Sequence, residues 1–464
     1  MDHPAPETLR EFVLTRLSES DDGRVEEHLR RGCEACLFKA REFFPLADFS
    51  SQESIQAFVR AMHLKGDPVA ADQAEGRLDE ALRQAVRRRF LFDCEAALTP
   101  ELLRELEHRP PAKKRDVVRT AERYQLFGFV EGLCEASRAA GFSDVARALE
   151  LAELAVAVAD CLDPRIYLPV LTADQQALAR AFLGNARRVA SDLFGADQAF
   201  HEGRPFLREG TKSPIVRAEF SSLHGSLLIY QARYREARRV LEGARKEFER
   251  WGEPRDVGRV LLQLGSCAGY AGEVERAVEV CSEAARVLES VQDERLRLSA
   301  HHNLTDWMVE TGEALEALAR FQKAQPLYDR CLDDLGIQLR RRWVEGRIHA
   351  ALGDFEIARR AFEEVRALAA RRGLAYELAM VSLEEAILDL NRSDLARVQD
   401  LAEELFPIFR SQDLHAHALA SLYLFRDRAR AEKATVGFLQ EIVRYLRRAQ
   451  HNPFLIFNPS ARWG

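Results

Sequence analysis

Apolar residues recur along most of this chain at intervals of three and four, the spacing of one face of an α-helix, and the breaks between these stretches are themselves regular. From Ala173 to Leu405 one ruler describes both. A small residue is followed seven positions later by a turn residue, five further on by an alanine, and four further on by an aromatic or aliphatic side chain. Gly184, Ser191, Ala196 and Phe200 make the first set, Gly225, Ala232, Ala237 and Leu241 the second, and Gly265, Gly272, Ala277 and Cys281 the third. Thr305, Gly312, Ala317 and Phe321 make the fourth, Gly346, Gly353, Ala358 and Phe362 the fifth, and Glu384, Asn391, Ala396 and a degenerate Asp400 a sixth. The alanines at 196, 237, 277, 317, 358 and 396 are 41, 40, 40, 41 and 38 residues apart, so a unit of about 40 residues is repeated.

Each position on the ruler has a packing reason. The small residue lets a second helix lie close, and the turn residue ends the first helix where left-handed geometry is needed. The alanine sits at the helix crossing, and the aromatic or aliphatic residue one turn on fills the gap between neighbouring repeats. One helical hairpin per repeat is predicted, with turns at Ala232, Gly272, Gly312 and Gly353. Upstream, a further hairpin has Gly141 as its turn, Ala146 as its crossing residue, and Asp163 with Pro164 at the end of its second helix. Downstream, Leu414 to Gln450 reads as two more helices stopped by Asn452 and Pro453, and the apolar tail containing Phe454, Phe457 and Trp463 either folds back or frays.

The small residue, turn, alanine and aromatic resemble the pattern of the tetratricopeptide repeat family. The resemblance implies an all-α solenoid that binds a partner protein or peptide. The period is longer than that family's, so the helices are longer by about a turn, and Thr305 and Glu384 depart from its small-residue position. The predicted organisation is a helical module over 1–48, a helical connector over 49–130, the repeat array over 131–412, and capping helices with a tail over 413–464. The polar stretch from Gly66 to Glu75 is the expected linker.

Composition supports this reading. Charged residues make up 30% of the 464, and runs of Val and Ile are too short for a large sheet. The net charge of -7 is spread over mixed acidic and basic residues, and the basic stretches Arg87 to Arg89 and Arg340 to Arg342 read as solvated helix faces, so no direct nucleic-acid contact is expected. The most apolar stretch, Leu151 to Leu162, is broken by Glu153 and Asp160 and is too short for a bilayer, so no membrane association is expected. The opening MDHPAPETLREF lacks the basic-then-apolar order of a secretory signal, and six of eight cysteines stand alone; a cytoplasmic location is the expectation.

One cluster carries candidate chemistry. Cys33 and Cys36 form a Cys-x2-Cys pair, His28 precedes it by about one helical turn, and His3 stands ahead of the first amphipathic helix, Glu7 to Leu17. Thiolate and imidazole donors in such a set suit one tetrahedral zinc ion. A metal-free hairpin with two buried cysteines is the other reading. A redox pair is disfavoured because no strand precedes it. The segment, with HPAPETLREFVLTRLS followed by EEHLRRGCEACLFKA, resembles the zinc-binding anti-sigma domain family, which implies a bacterial regulator that sequesters a sigma factor. It departs from that family's His-x3-Cys-x2-Cys by one residue, having four between His28 and Cys33 with Gly32 inserted.

Enzymatic readings find no motif. His301 with His302, and His415 with His417, point to different helix faces. Gly210-Thr-Lys-Ser lacks the glycines of a phosphate loop, and Gly265-Ser-Cys-Ala-Gly269 follows no strand. A non-enzymatic scaffold with no small-molecule substrate is the expectation.

Overall fold

Helical spacing becomes helix among the described residues. A computed structural model describes residues 3–46, 80–331, 334–411, 414–450, 452 and 454–459, and among them no strand occurs. The expected linker at 66–75 lies outside the described residues, as does Trp463. The chain is an all-α array of tetratricopeptide-like hairpins divided into two compact units, Met1–His224 and Gly225–Gly464.

In the first unit three short helices, Pro6–Val13, Glu19–Arg30 and Glu34–Arg41, precede the helices Glu80–Ala97, Thr99–Leu106 and Pro111–Thr120. Proline opens several of them at the first turn, where its missing N–H costs nothing. The first helix stops at Val13 instead of Leu17, because the backbone turns left-handed at Thr15. Hairpins follow at Phe127–Ala140 with Val145–Ala159 and at Pro169–Val189 with Leu193–Glu209. Gly141 ends the first of these helices at a right-handed φ of -57°, and the Asp144 side chain then caps the next by accepting from the Arg147 N–H at 2.9 Å. That longer turn moves the crossing residue from the exposed Ala146 to Ala148, whose carbonyl accepts from the Ser137 hydroxyl at 2.7 Å. The second helix ends at Ala159, and Asp163 caps the short helix Pro164–Tyr167 instead.

In the second unit the paired helices are Pro254–Tyr270 with Val274–Leu288, Glu294–Thr311 with Ala314–Asp329, Leu335–Leu352 with Phe355–Arg372, and Ala375–Asn391 with Leu395–Ser411. Ala416–Arg430 and Val436–Ala449 complete it. The predicted turns hold: Ala232, Gly272, Gly312 and Gly353 all have positive φ, between 59° and 88°. The alanines at 196, 237, 277, 317 and 358 are all 0% exposed.

Two expectations are refined. The aromatic position meets the next repeat, as Phe200 does at Phe220 and His224 with ring centroids 5.5 and 5.0 Å apart, and it also seats on the small residue of its own hairpin. A Cβ on Gly184 would lie 2.6 Å from the Phe200 ring, one on Gly225 2.5 Å from Leu241, one on Gly265 2.5 Å from the Cys281 Sγ, and one on Gly346 2.7 Å from the Phe362 ring. The sixth repeat is also displaced by two positions. Its left-handed residue is Ser393 and not Asn391. Ala396 and Asp400 are exposed, while Val398 and Ala402 are buried. The sixth set is therefore Ala386, Ser393, Val398 and Ala402, and the distance from Ala358 to Val398 returns to 40.

The last helix is more than an end cap. Phe438, Leu439, Ile442, Val443 and Leu446 are buried in a core shared with Ala375–Asn391, which is itself buried on most of its circumference. The following tail folds back: Leu455 and Phe457 pack on this core, Phe454 is 78% exposed, and the Tyr445 hydroxyl donates to the Leu455 carbonyl at 2.9 Å.

Candidate metal centre

His3, His28, Cys33 and Cys36 come from three separate pieces of chain. Ser18 opens the helix Glu19–Arg30 by accepting from the Asp21 N–H at 3.3 Å, and this helix carries His28 near its C-terminus. Gly32 then takes a φ of +81°, which glycine adopts without a Cβ penalty. The residue that lengthens the His28 to Cys33 spacing is thus the one that reverses the chain. Cys33 stands at the N-cap of Glu34–Arg41, and Cys36 lies within its first turn.

The four donor atoms converge. The His3 Nδ1 lies 3.3 Å from both the Cys36 Sγ and the Cys33 Sγ, and the His28 Nε2 lies 3.2 Å from the Cys36 Sγ. All four lie within 4.8 Å of one another, with Cys36 buried, His28 and Cys33 half-buried, and His3 exposed. Bonds of about 2.3 Å to sulfur and about 2.0 Å to nitrogen give a tetrahedron with edges of roughly 3.3–3.8 Å. The quartet can hold a metal ion. Burial, with Cys33 beside it, pushes the Cys36 thiol up to about 11, and burial with the neighbouring His3 pushes the His28 imidazole down, toward its neutral, ligating form.

The quartet's module is docked on its own unit. Arg87 stacks over the Phe12 ring at 3.7 Å and pairs with Glu26 at 2.9 Å and with Asp22, while Arg123 pairs with Glu34 at 2.8 Å.

A second polar constellation, which the sequence reading missed, lies in the other unit. Arg347 pairs with Asp306, with Glu310 at 3.1 Å and with Glu384 at 3.4 Å. Arg447 of the last helix reaches the same three carboxylates at 3.7, 2.6 and 3.8 Å. Burial works to raise Asp306, but Arg347, Arg447 and His302 outweigh it and hold the carboxyl at about 2. His302 is pushed down to about 4, chiefly by burial, and its Nδ1 lies 2.8 Å from the Tyr328 hydroxyl. These carboxylates are committed to guanidinium partners and clasp the last helix to the repeats. His302, Asp306 and Glu310 at intervals of four were a legible sign of one polar helix face; Arg447, 137 residues from Glu310, was not.

No protein-family model matches the chain, and no curated protein matches it. Among solved structures it is similar to the apo form of RapI, at 16% identity and a TM-score of 0.41, over 55% of this chain and 98% of that one. It is similar to aspartyl phosphate phosphatase F from Bacillus subtilis at 13% identity and a TM-score of 0.45, over 93% and 96%. A signal transduction ATPase with a tetratricopeptide repeat sensor, from Pyrococcus horikoshii, is similar at 12% identity and a TM-score of 0.34, over 97% and 72%.

Proposed function

We propose that this chain is a non-enzymatic helical-repeat regulator that binds a partner protein, with a zinc ion held by His3, His28, Cys33 and Cys36 in its N-terminal module. The observation that carries the binding role is a set of exposed apolar side chains at one end of the repeats. Leu315, Ile357 and Leu395 stand at the start of the second helix in three consecutive hairpins and are 76%, 44% and 38% exposed. Single exposed apolar side chains are ordinary on a protein surface, but their recurrence at the same end of three successive hairpins suits the extended contact that solenoids present to partners. The carboxylates around Arg347 and Arg447 are already paired, which favours the exposed apolar side chains as the contact. Crosslinking capture from the source organism should recover a partner with the parent chain and lose it with Leu315→Asp combined with Ile357→Asp. The same partner recovered by both forms would overturn the assignment.

The anti-sigma reading is favoured by one observation, the convergence of the four donors in the order of that family. In it the module, and not the set of exposed apolar side chains, holds a sigma factor. Coexpression with the organism's sigma factors separates the two: a complex lost on Cys33→Ser but kept with the Leu315 and Ile357 variants supports the anti-sigma role, and the reverse pattern contradicts it.

A further inference from the structure

We infer that metal at the N-terminal quartet is a switch on the first repeat hairpins, because the short segment that begins at Cys36 also delivers the cation and the ring that close a buried carboxylate pocket. The inference rests on the reading that the quartet holds a metal ion. Five residues after Cys36, the Arg41 guanidinium stands over the Tyr167 ring at 5.5 Å. Three residues further, Phe44 is 1% exposed and meets Phe92 and Tyr167 edge-on at 6.0 and 6.3 Å, while Phe92 stacks on Phe127 at 4.1 Å. Arg88 fixes the same turn by donating to the Phe44 carbonyl at 2.8 Å.

Behind these rings lies Glu95, fully buried. It accepts from the Tyr167 hydroxyl at 2.8 Å and from the Gly128 N–H at 2.9 Å. Gly128 leaves no room for a side chain, since a Cβ there would lie 2.1 Å from the Phe92 carbonyl oxygen. Burial pushes the Glu95 carboxyl up to about 7 against the Gly128 N–H, the Arg41 charge and the Tyr167 hydroxyl. A carboxyl buried in this way depends on every partner it has.

The module that supplies Arg41 and Phe44 has helices of 8, 12 and 8 residues. Helices this short do not persist alone in water, and so small a module needs a staple to stay ordered. Closing four ligands from three pieces of chain is such a staple, because metal binding to a site absent from the unfolded segment is folding free energy. Release of the metal therefore withdraws Arg41 and Phe44. It takes the Arg41 charge away from Glu95 and opens Phe92, Phe127 and Tyr167 to solvent.

Hydrogen exchange on the full chain tests this, comparing protein loaded with zinc alone and the same protein after chelation. Exchange in 85–97 and 124–133 should rise about tenfold together with 3–41, while 254–391 stays unchanged. Arg41→Ala should keep the parent's zinc stoichiometry and its protection in 19–30, yet show the rise in 85–97. Chelation that alters exchange only within 3–46, or an Arg41→Ala chain with the parent's exchange in 85–97, overturns the switch. A chain that takes up no zinc overturns the metal reading itself, whereas zinc uptake with unaltered 85–97 exchange overturns the switch alone.

Discussion

Gly346 and Phe362 show how much a single pair of residues decides. The ring lies where a Cβ on the glycine would be, 2.7 Å away, and the same contact joins Gly184 to Phe200, Gly225 to Leu241 and Gly265 to Cys281. Gly346→Ala should therefore destabilise the second unit by about 1–3 kcal/mol through overpacking, read as a shift in the denaturant midpoint. An unchanged midpoint would show that the hairpin does not depend on this approach. Glu95 makes an opposite kind of demand. Its carboxyl is raised from 4.5 to about 7 in the fold, so the folded state holds a proton that the unfolded state has lost across that range. The Glu95 contribution is thus fully present below about pH 4.5 and falls as pH rises toward 7. Glu95→Gln mimics the protonated form, so the midpoint of the variant relative to the parent should rise between about pH 5 and about pH 7.5. A constant difference would mean that Glu95 is not buried as an acid. The glycine ruler was readable because glycine is chemically distinctive; Glu95 was not, because its burial depends on rings at 44, 92, 127 and 167 that no local pattern connects.

At the level of the helical hairpin, the period was legible and one register was not. Five repeats carry the turn where the ruler puts it, but the sixth offers Asn391 and Ala396 as plausible matches while the backbone reverses at Ser393. The ambiguity arises because Ala375–Asn391 is enclosed by both its partner helix and Val436–Ala449, so its polar-apolar alternation no longer marks a single face. Surface exposure resolves it. Val398→Asp should cost about 2–4 kcal/mol by burying an unpaired carboxylate, whereas Ala396→Asp should stay within about 0.5 kcal/mol, both measured by denaturant unfolding. A larger loss at 396 than at 398 would restore the displaced register. The upstream hairpin has the same lesson, since the Asp144 cap lengthens its turn and moves the crossing to Ala148.

For the molecule as a whole, the all-α repeat class followed from periodicity alone, whereas what ties down the two ends of the chain did not. In one unit Arg87 holds the N-terminal module through Asp22 and Glu26; in the other Arg447 holds the last helix through Glu310. Such pairs join residues far apart in sequence and leave no spacing to read. The candidate metal ligands were legible as residue types, and their convergence waited on Gly32, whose left-handed turn makes the longer spacing work. X-ray absorption at the zinc edge of the purified full chain tests the account most directly. It predicts about one zinc per chain with two sulfur ligands near 2.3 Å and two nitrogen ligands near 2.0 Å. Zinc at background, or a shell of oxygen and nitrogen without sulfur, would contradict it.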